Sequence, residues 1–113
     1  MPPLYMEWKN LTSAYFWREW GGRPKITIAH ITCILQGQQV GDIDNITGSL
    51  LDALVQAEVL VDDLIYNVPD LHSIWKPDQP QGAELIITPL EFEPEYYDHD
   101  DIESNSISLI NPF

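Results

Sequence analysis

Residues 25–35, KITIAHITCIL, constrain the fold more than any other stretch of the chain. β-Branched residues crowd it and both alternating faces are apolar, which predicts a strand covered on two sides. Residues 45–57 then place Ile46, Leu50, Leu54 and Ala57 at helical spacing, with Leu51 and Val55 widening the stripe. Asp44 or Asn45 is suited to cap that helix. A second strand is expected over about 64–75. It must lie at an edge or carry a bulge, because Pro69 cannot donate to a ladder. The turn cluster PDQPQG at 77–82 leads to a third strand over 83–88, expected antiparallel to the second. Strand, helix and hairpin in that order predict an α/β fold, a small mixed sheet with a helix packed on it.

Ahead of this unit, residues 11–20 (LTSAYFWREW) predict a helix that starts near Thr12 or Ser13 and stops at Gly21–Gly22. Tyr15, Phe16, Trp17 and Trp20 make it a packing helix, or else a stacking platform beside Arg18, Arg23 and Lys25, the only positive cluster. His30 reads as a hydrogen-bonded core histidine and Cys33 as buried packing. His72 and Lys76 are four apart on the second strand and share a face. From Phe92 onward the composition turns acidic and then polar. This divides the chain into an α/β domain over 1–91 and an acidic C-terminal tail over 92–113.

Charge is divided unevenly. The formal net charge is −13, made of +2 over residues 1–41, −9 over 42–91 and −6 over 92–113. Acidity on that scale suits a cation site or an interaction tail better than a uniform phosphate-binding surface. The single cysteine excludes an internal disulfide and CxxC metal motifs. No apolar run suits a membrane span and no signal peptide is evident, so a cytoplasmic protein is expected. The signatures HExxH, GxxxxGK[ST], GxSxG and GxGxxG are absent.

The chemistry concentrates in residues 41–63, GDIDNITGSLLDALVQAEVLVDD. Asp42 and Asp44 stand two apart where an extended segment ends, so their carboxylates are expected on one side. Like charges so placed call for a hard cation. If the chain after the helix runs back along it, Asp62 or Asp63 joins them and completes a site for Mg²⁺ or Mn²⁺. Capping and turn chemistry is the competing use of the same aspartates. An EF-hand starting at Asp42 fails at Ile46, Thr47 and Ala53.

The combination Asp42-Ile43-Asp44-Asn45, then Leu51-Asp52-Ala53-Leu54 in a helix, then Val61-Asp62-Asp63 before a strand, resembles the RusA family of Holliday junction resolvases. The likeness covers about residues 41–90. It implies a homodimer that binds four-way DNA junctions and nicks paired strands with Mg²⁺ (Mn²⁺ as substitute), in DNA recombination and repair. Asp42, Asp44 and Asp63 match the family's catalytic, metal-binding aspartates, Asp62 and Asp52 further acidic positions, and Asn45 completes the motif. Arg18, Arg23, Lys25 and Lys76 are the residues available to touch DNA. Where the family carries a catalytic lysine, four residues after the second aspartate, this chain has Gly48. Two other readings therefore stand beside the nuclease: a catalytically silent binding protein of the same fold, and an acidic interaction protein acting through its tail. The acidic stretch ahead of Pro112-Phe113 also resembles the C-terminal peptide of bacterial single-stranded-DNA-binding proteins, which docks on partner proteins.

Overall fold

A β-strand followed by a helix and a second strand builds the centre of the protein, as a parallel crossover with one helix lying over it. In the computed structural model, which describes residues 3–90 and 106–113, the elements are α1 (Pro3–Trp20), β1 (Ala29–Gln36), α2 (Ile43–Gln56), β2 (Asp70–Lys76), β3 (Gly82–Pro89) and β4 (Ile107–Asn111). They form a four-stranded mixed sheet in the order β2-β1-β3-β4, with two helices on it. β1 pairs parallel with β2 and antiparallel with β3, and β3 pairs antiparallel with β4. No helix among the described residues is long and apolar enough to cross a membrane.

The core lies between the helices and one face of the sheet. Phe16 and Trp20 of α1 and Leu50, Leu51, Ala53 and Leu54 of α2 meet Ala29, Ile31, Cys33 and Leu35 of β1 and Leu85 and Ile87 of β3. Burial along β1 alternates strictly: Ala29, Ile31, Cys33 and Leu35 are buried, while His30, Thr32, Ile34 and Gln36 are half-buried. Among the described residues both helices lie on the Ala29–Leu35 side, and the second face of the strand is half-buried, not buried as expected.

The strand order departs from the expected hairpin. β2 and β3 do not pair, because β1, the most apolar strand, lies between them. The turn that joins them crosses the end of β1 at Gly37 (φ 71°), where an added Cβ would come within 2.7 Å of the backbone of Gln79 and Gln81. β2 also starts later than expected. The amides of Asn67 and Val68 both donate to the Leu64 carbonyl (2.9 Å each), closing a turn, and the strand begins just past Pro69 as the sheet's edge. β1 likewise starts at Ala29, after Ile26 has formed an isolated bridge to Leu60.

α1 is longer than its expected span and begins at Pro3, whose fixed φ suits a first helical turn. Thr12 and Ser13 are therefore not caps. Both are buried inside the helix, where Thr12 donates to the Asn111 side chain (3.5 Å) and Ser13 to the Asn10 carbonyl (3.2 Å). Gly21 and Gly22 end the helix with φ of 67° and 76°, as expected. The supposed tail is corrected at its end. β4 belongs to the sheet through Leu109 and Asn111, both buried, and the Phe113 ring meets Tyr15 edge-to-face at 6.1 Å. The acidic stretch at 91–105 lies outside the described residues.

Candidate functional site

The α2 aspartates follow from where the helix starts. Asp42, not Asp44 or Asn45, is the N-cap residue, with extended backbone (φ −83°, ψ 146°) and no side-chain capping bond. Asp44 therefore sits in the first turn, where a carboxylate is favoured by the helix dipole. Its Oδ1 accepts the Asn45 amide at 3.0 Å. Strand-like alternation does not apply to this pair, since one residue is extended and the next two are helical. Both side chains are exposed.

Asp44, Gly48 and Asp52 follow one turn apart and line one flank of α2. Asp63 closes the far end of that flank. Partial burial and then its contact with the Asp52 carboxyl, with Asp62 adding, raise the Asp63 carboxyl above its ordinary 3.8. The Asp62 side chain also accepts the Asp63 amide at 2.8 Å. Asp63 thus meets the C-terminal half of α2, about 12 Å along the helix from Asp44 at 1.5 Å per residue. Topology explains the separation. After α2 the chain does not run back along the helix but pairs with Ile26: the Ile26 amide donates to Val59 (2.8 Å) and the Val61 amide to Ile26 (3.0 Å). Among the described residues, no three aspartates bring carboxylate oxygens within 4.8 Å of one another.

The group that does meet this spacing is His30, Asp70 and His72. Parallel pairing puts His30 opposite Asp70 and Thr32 opposite His72, all on the sheet's open face. His30 Nδ1 is 2.9 Å from Asp70 Oδ2, and His72 Nε2 is 3.1 Å from Asp70 Oδ1. The two imidazole rings are 5.5 Å apart, and Thr32 Oγ1 lies 3.4 Å from His30 Nε2. The side chains are 14% (His30), 26% (Asp70) and 60% (His72) exposed. His30 is therefore not the core histidine expected from its strand. The spacing Asp-x-His on a strand was readable as a ligand pair, but the third member required the register of β1 against β2.

Arg18, Arg23, Lys25 and Lys76 are all exposed. Arg18 stacks over Tyr15 (5.2 Å) and Arg23 over Trp20 (5.1 Å). Phe16 and Trp20 serve the core, which leaves Trp17, 59% exposed, as the most exposed aromatic of that helix among the described residues. Arg23 and Lys25 lead into Ile26 and so reach the end of the sheet where Val59–Leu60 lead to Asp62. Lys76 ends β2 at the opposite side, where Trp75 shares a small pocket with Gly41, Ile43 and Ile46 at the start of α2. A larger cavity of about 640 Å³ opens beside Asn45 and Ser49. Tyr5, Trp8, Val40 and Phe113 give it an apolar lining ill-suited to phosphate. Compared with family models, curated proteins and solved structures, the chain matches none.

Proposed function

We propose that the chain is a RusA-type, Mg²⁺-dependent endodeoxyribonuclease of the cytoplasm that nicks four-way DNA junctions as a homodimer, in recombination and repair. The observation that carries this reading is the acidic flank of α2, with Asp42 and Asp44 at the helix start and Asp63 pressed against Asp52 two turns on. A cation relieves the Asp63 carboxyl, whose proton affinity is raised by partial burial and by Asp52, and all-oxygen donors suit a hard one. Asp62 and Asp63, beside Asp52, would hold Mg²⁺ at one end of the row, and Asp42 and Asp44 would hold it at the other, about 12 Å away along α2. The ion, when bound, supplies activation of water and neutralisation of charge on the scissile phosphate. Arg23 and Lys25 lead into Ile26, beside the chain that continues to Asp62, and with Arg18 and Lys76 they would hold the DNA backbone.

The homodimer is supported by the free edge of the sheet. β2 is an edge strand, and Leu64, Ile65 (86% exposed), Tyr66, Leu71 and Trp75 form an apolar run on and just before it. Such an edge is ordinarily covered, and a two-fold protein matches the two equivalent strands of a junction.

A labelled four-way junction incubated with Mg²⁺ at low salt tests the assignment against a linear duplex. Paired symmetric nicks are expected, reduced at least ~100-fold in Asp63→Asn and Asp44→Asn, the order of effect for losing a group that stabilises the transition state. An intact junction at every Mg²⁺ and Mn²⁺ concentration sinks the nuclease. Gly48 favours the second reading, a silent junction binder, and no atom lies within 4 Å of the position where its Cβ would stand. A lysine therefore fits between Asp44 and Asp52. Cleavage by Gly48→Lys, where the parent only shifts the junction on a gel, would establish that reading.

A further inference from the structure

We infer that His30, Asp70 and His72 form a second metal site, for a divalent transition metal such as Zn²⁺, on the open face of the sheet. The inference does not depend on the nuclease reading, because no residue of the α2 aspartate row takes part.

The geometry comes from backbone pairing. Parallel register fixes His30 beside Asp70, and the two-residue strand period returns His72 to the same face. Metal–ligand bonds of about 2.0–2.2 Å at tetrahedral or octahedral angles put neighbouring ligand atoms roughly 2.9–3.5 Å apart. The observed separations of 2.9 Å and 3.1 Å are already in that range. An ordinary histidine–carboxylate hydrogen bond is the competing account of the first contact. Yet His30 Nδ1, buried and this close to Asp70, has no hydrogen-bond partner in correct alignment. The contact is thus a close approach of two ligand atoms and not an aligned hydrogen bond.

The donor set gives the class of metal. Two imidazole nitrogens and one carboxylate favour borderline transition metals, whereas Mg²⁺ prefers oxygen donors and retained water. Three protein ligands leave coordination positions open, and the 60% exposure of His72 puts them within reach of solvent. The site can therefore hold a metal-bound water or a small anion as well as the ion.

The test uses the full chain without an affinity tag, stripped with chelator, and titrated with Zn²⁺ by calorimetry and with Co²⁺ by visible absorption. About one equivalent of Zn²⁺ and the d–d bands of imidazole-ligated Co²⁺ are expected, with a rise in Tm on Zn²⁺ addition. His72→Ala, at an exposed position, and Asp70→Asn should each weaken binding beyond the roughly 10–100-fold seen on losing a group that only supports a ligand. Asp44→Asn and Asp63→Asn should leave binding unchanged. Absence of stoichiometric uptake by the parent overturns the site. So does uptake that survives His72→Ala with its Tm rise intact, or that disappears in Asp63→Asn. Circular dichroism of each variant separates loss of metal from loss of fold.

Discussion

The two faces of the sheet obey different rules. Beneath the helices, Ile31, Cys33, Leu85 and Ile87 are fully buried in apolar packing, and the buried polar side chains Thr12 and Asn111 bond each other. On the open face β1 and β2 carry His30, Thr32, Asp70 and His72, half-buried or exposed and joined by polar contacts. One face holds the strands in place, and that rigidity fixes the distances between ligand atoms on the other. The aspartate row of α2 has no such frame. It follows one helix flank and a loop, and its carboxylates are spread over two turns.

Cys33 gives the largest expected contrast. Burial pushes its thiol up to about 12, and no part of it reaches solvent. Labelling by a thiol reagent should be at least ~10³-fold slower in the native protein than in denaturant, since reaction waits for opening of a stable core. Labelling at near-unfolded rates would show that the covered face opens readily. Next in size, Leu85→Ala should cost about 2–5 kcal/mol in a denaturant melt. Ile86→Ala, its neighbour on the open face, should cost under about 1.5 kcal/mol, in keeping with its partial exposure. Equal costs would mean that the open face is covered in solution.

The smallest effect concerns Asp63. Its carboxyl holds a proton to higher pH in the folded chain than in the unfolded one, so the stability tied to that proton is lost as pH rises above 3.8 and through the raised folded value. Asp63→Asn should therefore be slightly more stable than the parent at neutral pH, with the advantage fading as pH falls below 3.8. Mg²⁺ should raise the parent's Tm more than the variant's. A variant less stable than the parent at neutral pH would show that the Asp63 charge is satisfied within the fold.

Much of this architecture was legible from local pattern. The helical stripe from Ile46 to Leu54, the glycine stop at 21–22, the buried Cys33 and the edge position after Pro69 each follow from a short-range rule. β4 was not legible, because ISLIN follows an acidic stretch whose composition masks it and gains its burial only from β3 and α1. The aspartates were legible as candidates, since Asp42, Asp44, Asp62 and Asp63 stand close in sequence. Their distances were not, because the chain after α2 chose Ile26 as its partner.

The sequence by itself determined the central strand, the helix after it and the strand over 83–88, that the chain is acidic after Gly41, and that aspartates stand at both ends of that helix. These are local matters of side-chain period, capping and composition. Only the tertiary structure decided that β1 separates β2 from β3, that Asp63 faces Asp52, and that His30 stands beside Asp70. Strand neighbours are chosen by competition among apolar faces for one central position. No window of sequence contains both partners of such a pair.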